Sequence, residues 1–109
     1  MTPGTVVTVD FVGATGVKRR PAVIVSTQTY NNERPDIILA IVTSQINKAT
    51  ATTDFILKDW SAAGLTKPSA VRIYLGTEQS SRVKSIGKLS EDDWLEVQNC
   101  LRLAIEVNA

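Results

Sequence analysis

Short runs of β-branched and apolar residues recur along this chain, and each run ends at glycine, proline or a cluster of polar residues. Runs of this length are typical of β-strands and are too short for most helices, so the pattern predicts a protein built mainly from strands. Alternation in one run puts Ala70, Arg72 and Tyr74 on the same strand face. The predicted strands are TVVTVDFV (about Thr5 to Val12), AVIVST, IILAIVTSQ, DFIL, SAVRIYLG and RVKSIGKL.

The last part of the chain has the periodicity of a helix. Its apolar residues recur mainly at spacings of three and four on one face, namely Trp94, Val97, Leu101, Ala104 and Ile105. Ser90 precedes this run as an N-cap, and Asp93 three residues later gives a capping-box pattern. The strands and this helix predict a mainly β fold with α (α+β), a small, partly open β-barrel or curled antiparallel sheet with a C-terminal α-helix.

The segments between the strands carry weaker signals. Pro21 favours an extended Arg20, and the second strand is expected to follow it, entered through the basic loop GVKRR. TYNNERPD is predicted to be a loop. KDWSAAGL has room for one helical turn ended by a left-handed Gly64, and Gly87 permits a bend or bulge in the last strand.

The length of the chain, 109 residues, is that of one ordinary domain, and residues 1–109 are expected to form one. No segment has the apolar length of a membrane span and the first residues lack a signal-peptide pattern, so a cytoplasmic protein without membrane contact is expected. The sequence has no histidine and a single cysteine, Cys100. This excludes an internal disulfide, a zinc site of the usual ligands and a Ser-His or Cys-His couple, and no metal or cofactor is expected.

Charge is divided unevenly along the chain. Residues 90–109 hold five acidic residues and one arginine, whereas residues 1–89 hold eleven basic and six acidic residues. The division predicts a basic body that binds a polyanion and an acidic helix on another side. A solvated helix face is the plainer explanation of the acidic residues.

Five blocks of the sequence together resemble one known family. In chain order they are GTVVTVDF, RRPAVIVS, IVTSQI, WSAAGLTKPSAVRI and IGKLSEDDW. They are similar to the MazF/PemK/Kid toxins of bacterial toxin–antitoxin systems, and the resemblance runs from Gly4 to about Ile105. It implies a small barrel of the Src-homology-3-like type, a homodimer, and metal-independent cleavage of single-stranded RNA or mRNA at short sequences. It also implies inhibition of translation and growth, and a cognate antitoxin that occupies or covers the RNA groove.

The resemblance also implies site residues. The family's arginine before proline falls on Arg20, and its strand-end threonine falls on Thr43, with Ser44 next to it. A later-strand arginine of the Kid-like branch falls on Arg72, but Tyr74 stands about where that branch has an acid. The Kid-like branch also has a histidine in its first loop, and this sequence has no histidine. Arg20 and Thr43 are therefore the predicted catalytic pair.

The expected chemistry needs little from the protein, because RNA supplies its own 2′-hydroxyl nucleophile and positioning and electrostatics do much of the rest. Arginine stays protonated at neutral pH, so Arg20 is a poor base and is predicted to clamp the scissile phosphate in a bidentate manner. Thr43 is predicted to orient the phosphate or the attacking hydroxyl. The general base stays open among Asp10, Asp36 and Glu78.

Further residues are predicted to bind RNA through phosphate contacts, stacking and base edges. Lys18 and Arg19 would contact phosphates, Arg72 would line the groove, and Tyr74 would stack on a base. The remaining candidates, for base edges or the phosphate, are Ser44, Gln45 and Asn47. Plainer explanations are a solvated basic turn for the cations and cross-strand packing for Arg72 with Tyr74.

Two other functions remain open at this point. One is a non-enzymatic growth inhibitor that uses the same fold to bind a protein such as gyrase. The other is a diverged RNA-binding module without activity, which the missing histidine and the residue at Tyr74 leave open.

Overall fold

Six antiparallel strands form one sheet in the computed structural model, which describes residues 1–107, without the side chains of residues 11–13. The strands are β1 (Thr5–Gly13), β2 (Gly16–Ile24), β3 (Asp36–Thr43), β4 (Asp54–Ile56), β5 (Ala70–Gln79) and β6 (Val83–Lys88). Their order in the sheet is β4-β5-β3-β2-β1-β6. The sheet and the helix that follows it confirm the predicted mainly β architecture, a curled half-barrel with a C-terminal helix.

The start of the second strand differs from the prediction. β2 begins at Gly16, so Lys18, Arg19 and Arg20 lie in the strand and not in a loop. The reason is the hairpin with β1, in which these residues pair opposite residues 11, 10 and 9. Ladder pairing fixes alternate side chains on opposite faces of a strand, so Arg19 and Arg20 point to different sides of the sheet.

Two helices flank the sheet, α1 (Gln28–Glu33) and α2 (Glu91–Ala104), with short 3-10 turns at Ile46–Lys48 and Ser80–Arg82. The prediction of a loop at TYNNERPD was wrong. The Thr27 side chain accepts a hydrogen bond from the Tyr30 N–H and starts α1. Pro35 ends it, because Arg34 before the proline takes an extended conformation. Within residues 1–107, none of the helices combines the length and the hydropathy required to cross a membrane.

The two faces of the sheet pack separate cores. One face lies under α2, where Val97 is fully buried and Trp94 and Leu101 are partly buried. The predicted apolar helix face is therefore packed only in part, since Ala104 and Ile105 at its end are exposed. The opposite face of the sheet carries a second core, formed by Val7, Val9, Ala22, Ile24, Ile37 and Leu39.

The connection between β4 and β5 contains the predicted helical turn, in which the Ala63 N–H donates to the Asp59 carbonyl at 3.2 Å. The Leu65 N–H closes the turn by donating to the Trp60 carbonyl at 3.2 Å. Gly64 has φ +88°, as the predicted left-handed conformation requires. A Cβ atom at Gly64 would lie 2.2 Å from the Ile86 carbonyl oxygen, and one at Gly87 would lie 2.1 Å from the Ala63 carbonyl oxygen. The two backbones therefore touch directly, and the ladder between β1 and β6 shifts register beside Gly87, which confirms the predicted bulge.

A buried carboxylate joins this connection to the terminal helix. Ser90 caps α2 by accepting the Asp93 N–H at 3.2 Å, as predicted. The side chain of Asp93 is fully buried and accepts the N–H groups of Lys58 at 3.1 Å and Asp59 at 2.9 Å. The reciprocal half of the capping box is thus replaced by a long-range contact that anchors the start of the connection.

Candidate active site

A polar cavity of about 460 Å³ opens beyond the end of β3, against the part of β2 that extends past the β2–β3 ladder. Three parts of the chain surround it: the middle of β2, the end of β3 with the residues after it, and the segment before β5. The lining residues are Arg19, Arg20, Pro21, Val42, Thr43, Ser44, Gln45, Leu65, Thr66, Lys67 and Ser69.

The cavity has both Arg20 and Thr43 in its lining. The β2–β3 ladder ends at the pair Ala22–Ile41, so each of the two residues lies two positions beyond that pair on its own strand. The Thr43 hydroxyl oxygen accepts the Gln45 N–H at 3.1 Å, which leaves the hydroxyl proton free to be donated. The predicted pair lines one cavity, and its catalytic role stays a prediction.

Arg19 also lines the cavity, but its charge is matched by Asp10 on β1. Arg19 Nε donates to Asp10 Oδ1 at 2.9 Å, and Nη2 donates to Oδ2 at 3.4 Å. The Arg19 hydrogen bond holds the pKa of the Asp10 carboxyl below its usual range. A lower pKa makes Asp10 a weaker proton acceptor, which disfavours it as the general base.

The other two candidates for the general base are remote. Asp36 begins β3, and Glu78 pairs opposite Ile37 next to it. Asp36 precedes Thr43 by seven residues on the same strand, a separation of about 23 Å at the rise of an extended strand. Neither carboxylate can reach the reacting atoms at the cavity.

The remaining predicted binding residues divide into those at the cavity and those outside it. Ser44 and Gln45 line the cavity. Asn47 lies in the 3-10 turn and Lys18 on the hairpin, and both are exposed outside the cavity lining.

Arg72 and Tyr74 form a second cluster beside the first. Arg72 pairs opposite Ile41, two residues back from Thr43, so it lies about 7 Å along the strands from Thr43. Its guanidinium stacks 5.0 Å from the centre of the Tyr74 ring. Its Nε lies 3.4 Å from Asp54 Oδ1 on β4, and the Asp54 side chain is 4% exposed. These residues line a separate cavity of about 100 Å³.

Sequence reasoning missed Asp54 and the residues that the segment before β5 contributes to the cavity. Asp54 reaches Arg72 only through the β4–β5 register, which no local pattern encodes. Thr66, Lys67 and Ser69 lie in a block that carried the family resemblance, and the lysine before Pro68 was the available signal.

Fold and site together define a small curled-sheet protein with a polar cavity rimmed by cations. A family model described as the PemK-like, MazF-like toxin of type II toxin-antitoxin systems matches residues 2–105. The chain belongs to this family of toxins.

Solved structures with the same fold include members of such systems. A MazE–MazF structure from Deinococcus radiodurans is similar with a TM-score of 0.75 at 20% identity, over 97% of this chain and 98% of that chain. An endoribonuclease in complex with its cognate antitoxin from a mycobacterial species is similar with a TM-score of 0.76 at 14% identity, over 99% of both chains. A MazF structure from Deinococcus radiodurans gives 0.71 at 20% identity, over 95% and 94%.

Proposed function

We propose that this toxin is a metal-independent, sequence-specific endoribonuclease that cuts single-stranded RNA or mRNA and thereby inhibits translation and growth. The observation that carries the proposal is the polar cavity, which both Arg20 and Thr43 line. Membership of the toxin family and the endoribonucleases among the solved relatives support it. A toxin that acts on mRNA would work in the cytoplasm.

The proposed reaction is a transesterification within the RNA. The 2′-oxygen forms a bond to the adjacent phosphorus, the bond from phosphorus to the 5′-oxygen breaks, and the products are a cyclic phosphate and a 5′-hydroxyl. The proton leaves the 2′-hydroxyl and one is delivered to the 5′-oxygen. Arg20 would bind the non-bridging oxygens more strongly as negative charge accumulates on them, while Thr43 would hold the phosphate or the 2′-hydroxyl in line.

The wider groove is proposed to bind the flanking nucleotides. Arg72 and Tyr74 follow Ala70, the partner of Thr43, by two and four residues on β5, and Tyr74, 60% exposed, offers a stacking surface. Lys18 and Arg19 on the hairpin would contact backbone phosphates. Ser44 and Gln45 at the cavity, with Asn47 beside it, would provide polar contacts.

Purified protein is expected to cut single-stranded RNA at one short motif, and the cuts should persist in excess EDTA. The reason is that the RNA hydroxyl is the nucleophile and Arg20 supplies the positive charge. The measurement is mapping of 5′ ends on a mixed RNA pool. The matched control is an RNA with a 2′-deoxy sugar at the cut position, which should stay intact. Loss of cleavage in EDTA would exclude the metal-independent reaction.

Expression in a bacterial host gives the outcomes in cells. Growth arrest with cuts at the same motif supports the proposal, whereas arrest without cuts would indicate a protein target such as gyrase.

A cognate antitoxin is the proposed protein partner. Co-expression of a candidate antitoxin should restore growth, and persistent arrest would exclude that candidate.

A homodimer is the proposed assembly, as the family resemblance implies. An apolar groove of about 490 Å³ lies between the end of α2 and the sheet, lined by Val25, Thr27, Ile38, Leu75, Leu101, Arg102, Ile105 and Val107. Two apolar residues of this lining are open to solvent, since Leu75 is 42% exposed and Val107 is 76% exposed. In a two-fold dimer, these side chains of each copy would pack into the groove of the other copy.

Leu75→Lys is expected to convert the dimer to a monomer, because a lysine would place an unpaired charge in the contact. Light scattering after size exclusion, over a series of protein concentrations, measures the mass. Leu103→Lys is the matched control: Leu103 is 64% exposed on α2 but outside the groove. A wild-type protein that stays monomeric at high concentration would contradict the assembly.

A further inference from the structure

We propose that Lys67 is a second catalytic cation, which contacts the scissile phosphate from the wall of the cavity formed by the segment before β5. This inference rests on the proposed function and names a further residue for its site. Lys67 lines the cavity with Arg20 and Thr43, although it comes from a different part of the chain.

The position of Lys67 is fixed by its neighbours. Pro68 disfavours a helical conformation at Lys67. Ser69 Oγ donates to the Lys67 carbonyl at 2.8 Å, and the Ser69 carbonyl accepts the Leu57 N–H at 2.9 Å. The segment is thus tied to the sheet immediately after Lys67. At its other end, the connection is anchored by Asp93.

The charges around the cavity support a phosphate contact by Lys67. Arg19 is paired with Asp10, so its charge is largely matched within the protein. Among the residues that the structure describes, Arg20 and Lys67 are the cavity-lining cations with no carboxylate within 4.0 Å. The phosphorane formed during transesterification carries more negative charge than the phosphodiester. Two cations without an acidic partner, from different parts of the chain, would stabilise this additional negative charge.

Lys67→Gln tests the role, because it removes the charge and keeps a side chain of similar length. Single-turnover cleavage is expected to slow by about ten- to a hundred-fold, less than for Arg20→Ala, since an ammonium makes a point contact and no bidentate one. Lys67→Arg should restore part of the rate. Lys58→Gln is the matched control, since Lys58 is an exposed lysine on the same connection outside the cavity, and it should cut at the wild-type rate.

A binding measurement distinguishes a phosphate contact of Lys67 from a structural role. An RNA with a 2′-deoxy sugar at the cut position is bound but not cut. With this probe, Lys67→Gln should reduce the slope of log affinity against log salt by about 0.7, the value expected when one cation no longer neutralises a phosphate of a single strand. A structural effect would leave that slope unchanged. Lys58→Gln should leave it unchanged as well.

The outcomes distinguish this inference from the proposed function. If wild type cuts RNA and Lys67→Gln cuts equally fast with the same salt slope, the inference on Lys67 is overturned and the proposed function stands. If wild type binds the probe but cuts no RNA, the proposed function fails and the catalytic role fails with it, whatever the salt slope. If wild type neither binds nor cuts RNA, both are overturned.

Discussion

Arg20→Ala is expected to slow RNA cleavage by about two to three powers of ten, which corresponds to roughly 3–4 kcal/mol of activation free energy. In the proposed reaction the loss falls mainly on the chemical step, because the guanidinium would bind the phosphate most strongly when charge accumulates in the transition state. Arg20 is exposed and lies on a paired strand, so truncation should leave the fold intact. Single-turnover rates at saturating enzyme measure the effect directly.

Two control variants sharpen this test. Arg20→Lys keeps a positive charge but loses the planar fork, and it should fall between wild type and Arg20→Ala. Arg82→Ala removes an exposed arginine from the 3-10 turn before β6, outside the cavity, and should cut at the wild-type rate. An Arg20→Ala protein as active as wild type would remove Arg20 from the mechanism.

The parts of the fold that sequence could predict are those with a local cause. Strand-length apolar runs, the helical period ending in Leu101, and the N-cap at Ser90 each depend on neighbouring residues. Arg20 and Thr43 were predicted as a pair from the family resemblance, and both line one cavity. The strands that carry them are held in register up to Ala22 and Ile41 by buried apolar residues on both faces.

The features that were wrong or missed depend on contacts between distant parts of the chain. The basic stretch reads as a loop because its charges are consecutive, but pairing with β1 extends β2 through it. The same pairing places Arg19 opposite Asp10, so Arg19 has an ion-pair partner that charge patterning could not identify. Lys67 reaches the cavity only because the β4–β5 connection folds back over the end of β3.

Asp93→Ala is expected to lower the free energy of unfolding by about 2–4 kcal/mol, because it leaves the N–H groups of Lys58 and Asp59 without their charged acceptor. That is a large share of the roughly 5–15 kcal/mol typical of a domain this size. Urea unfolding, followed at one fixed protein concentration, measures the change. The concentration is fixed because the proposed dimerisation would add stability by mass action.

Asp92→Ala is the matched control for this variant. Asp92 lies in the same first turn of α2 but is exposed, so its loss removes only a favourable interaction with the helix dipole, about 0.3–1 kcal/mol. Asp93→Asn should be intermediate, since its amide oxygen can accept one N–H while its NH2 group opposes the other. Equal stability of Asp93→Ala and Asp92→Ala would show that the two backbone hydrogen bonds contribute little. We expect the loss of unfolding free energy to be several-fold larger for Asp93→Ala than for Asp92→Ala. If Asp93→Ala also cuts RNA more slowly, the anchoring of the β4–β5 connection by Asp93 contributes to the position of Lys67.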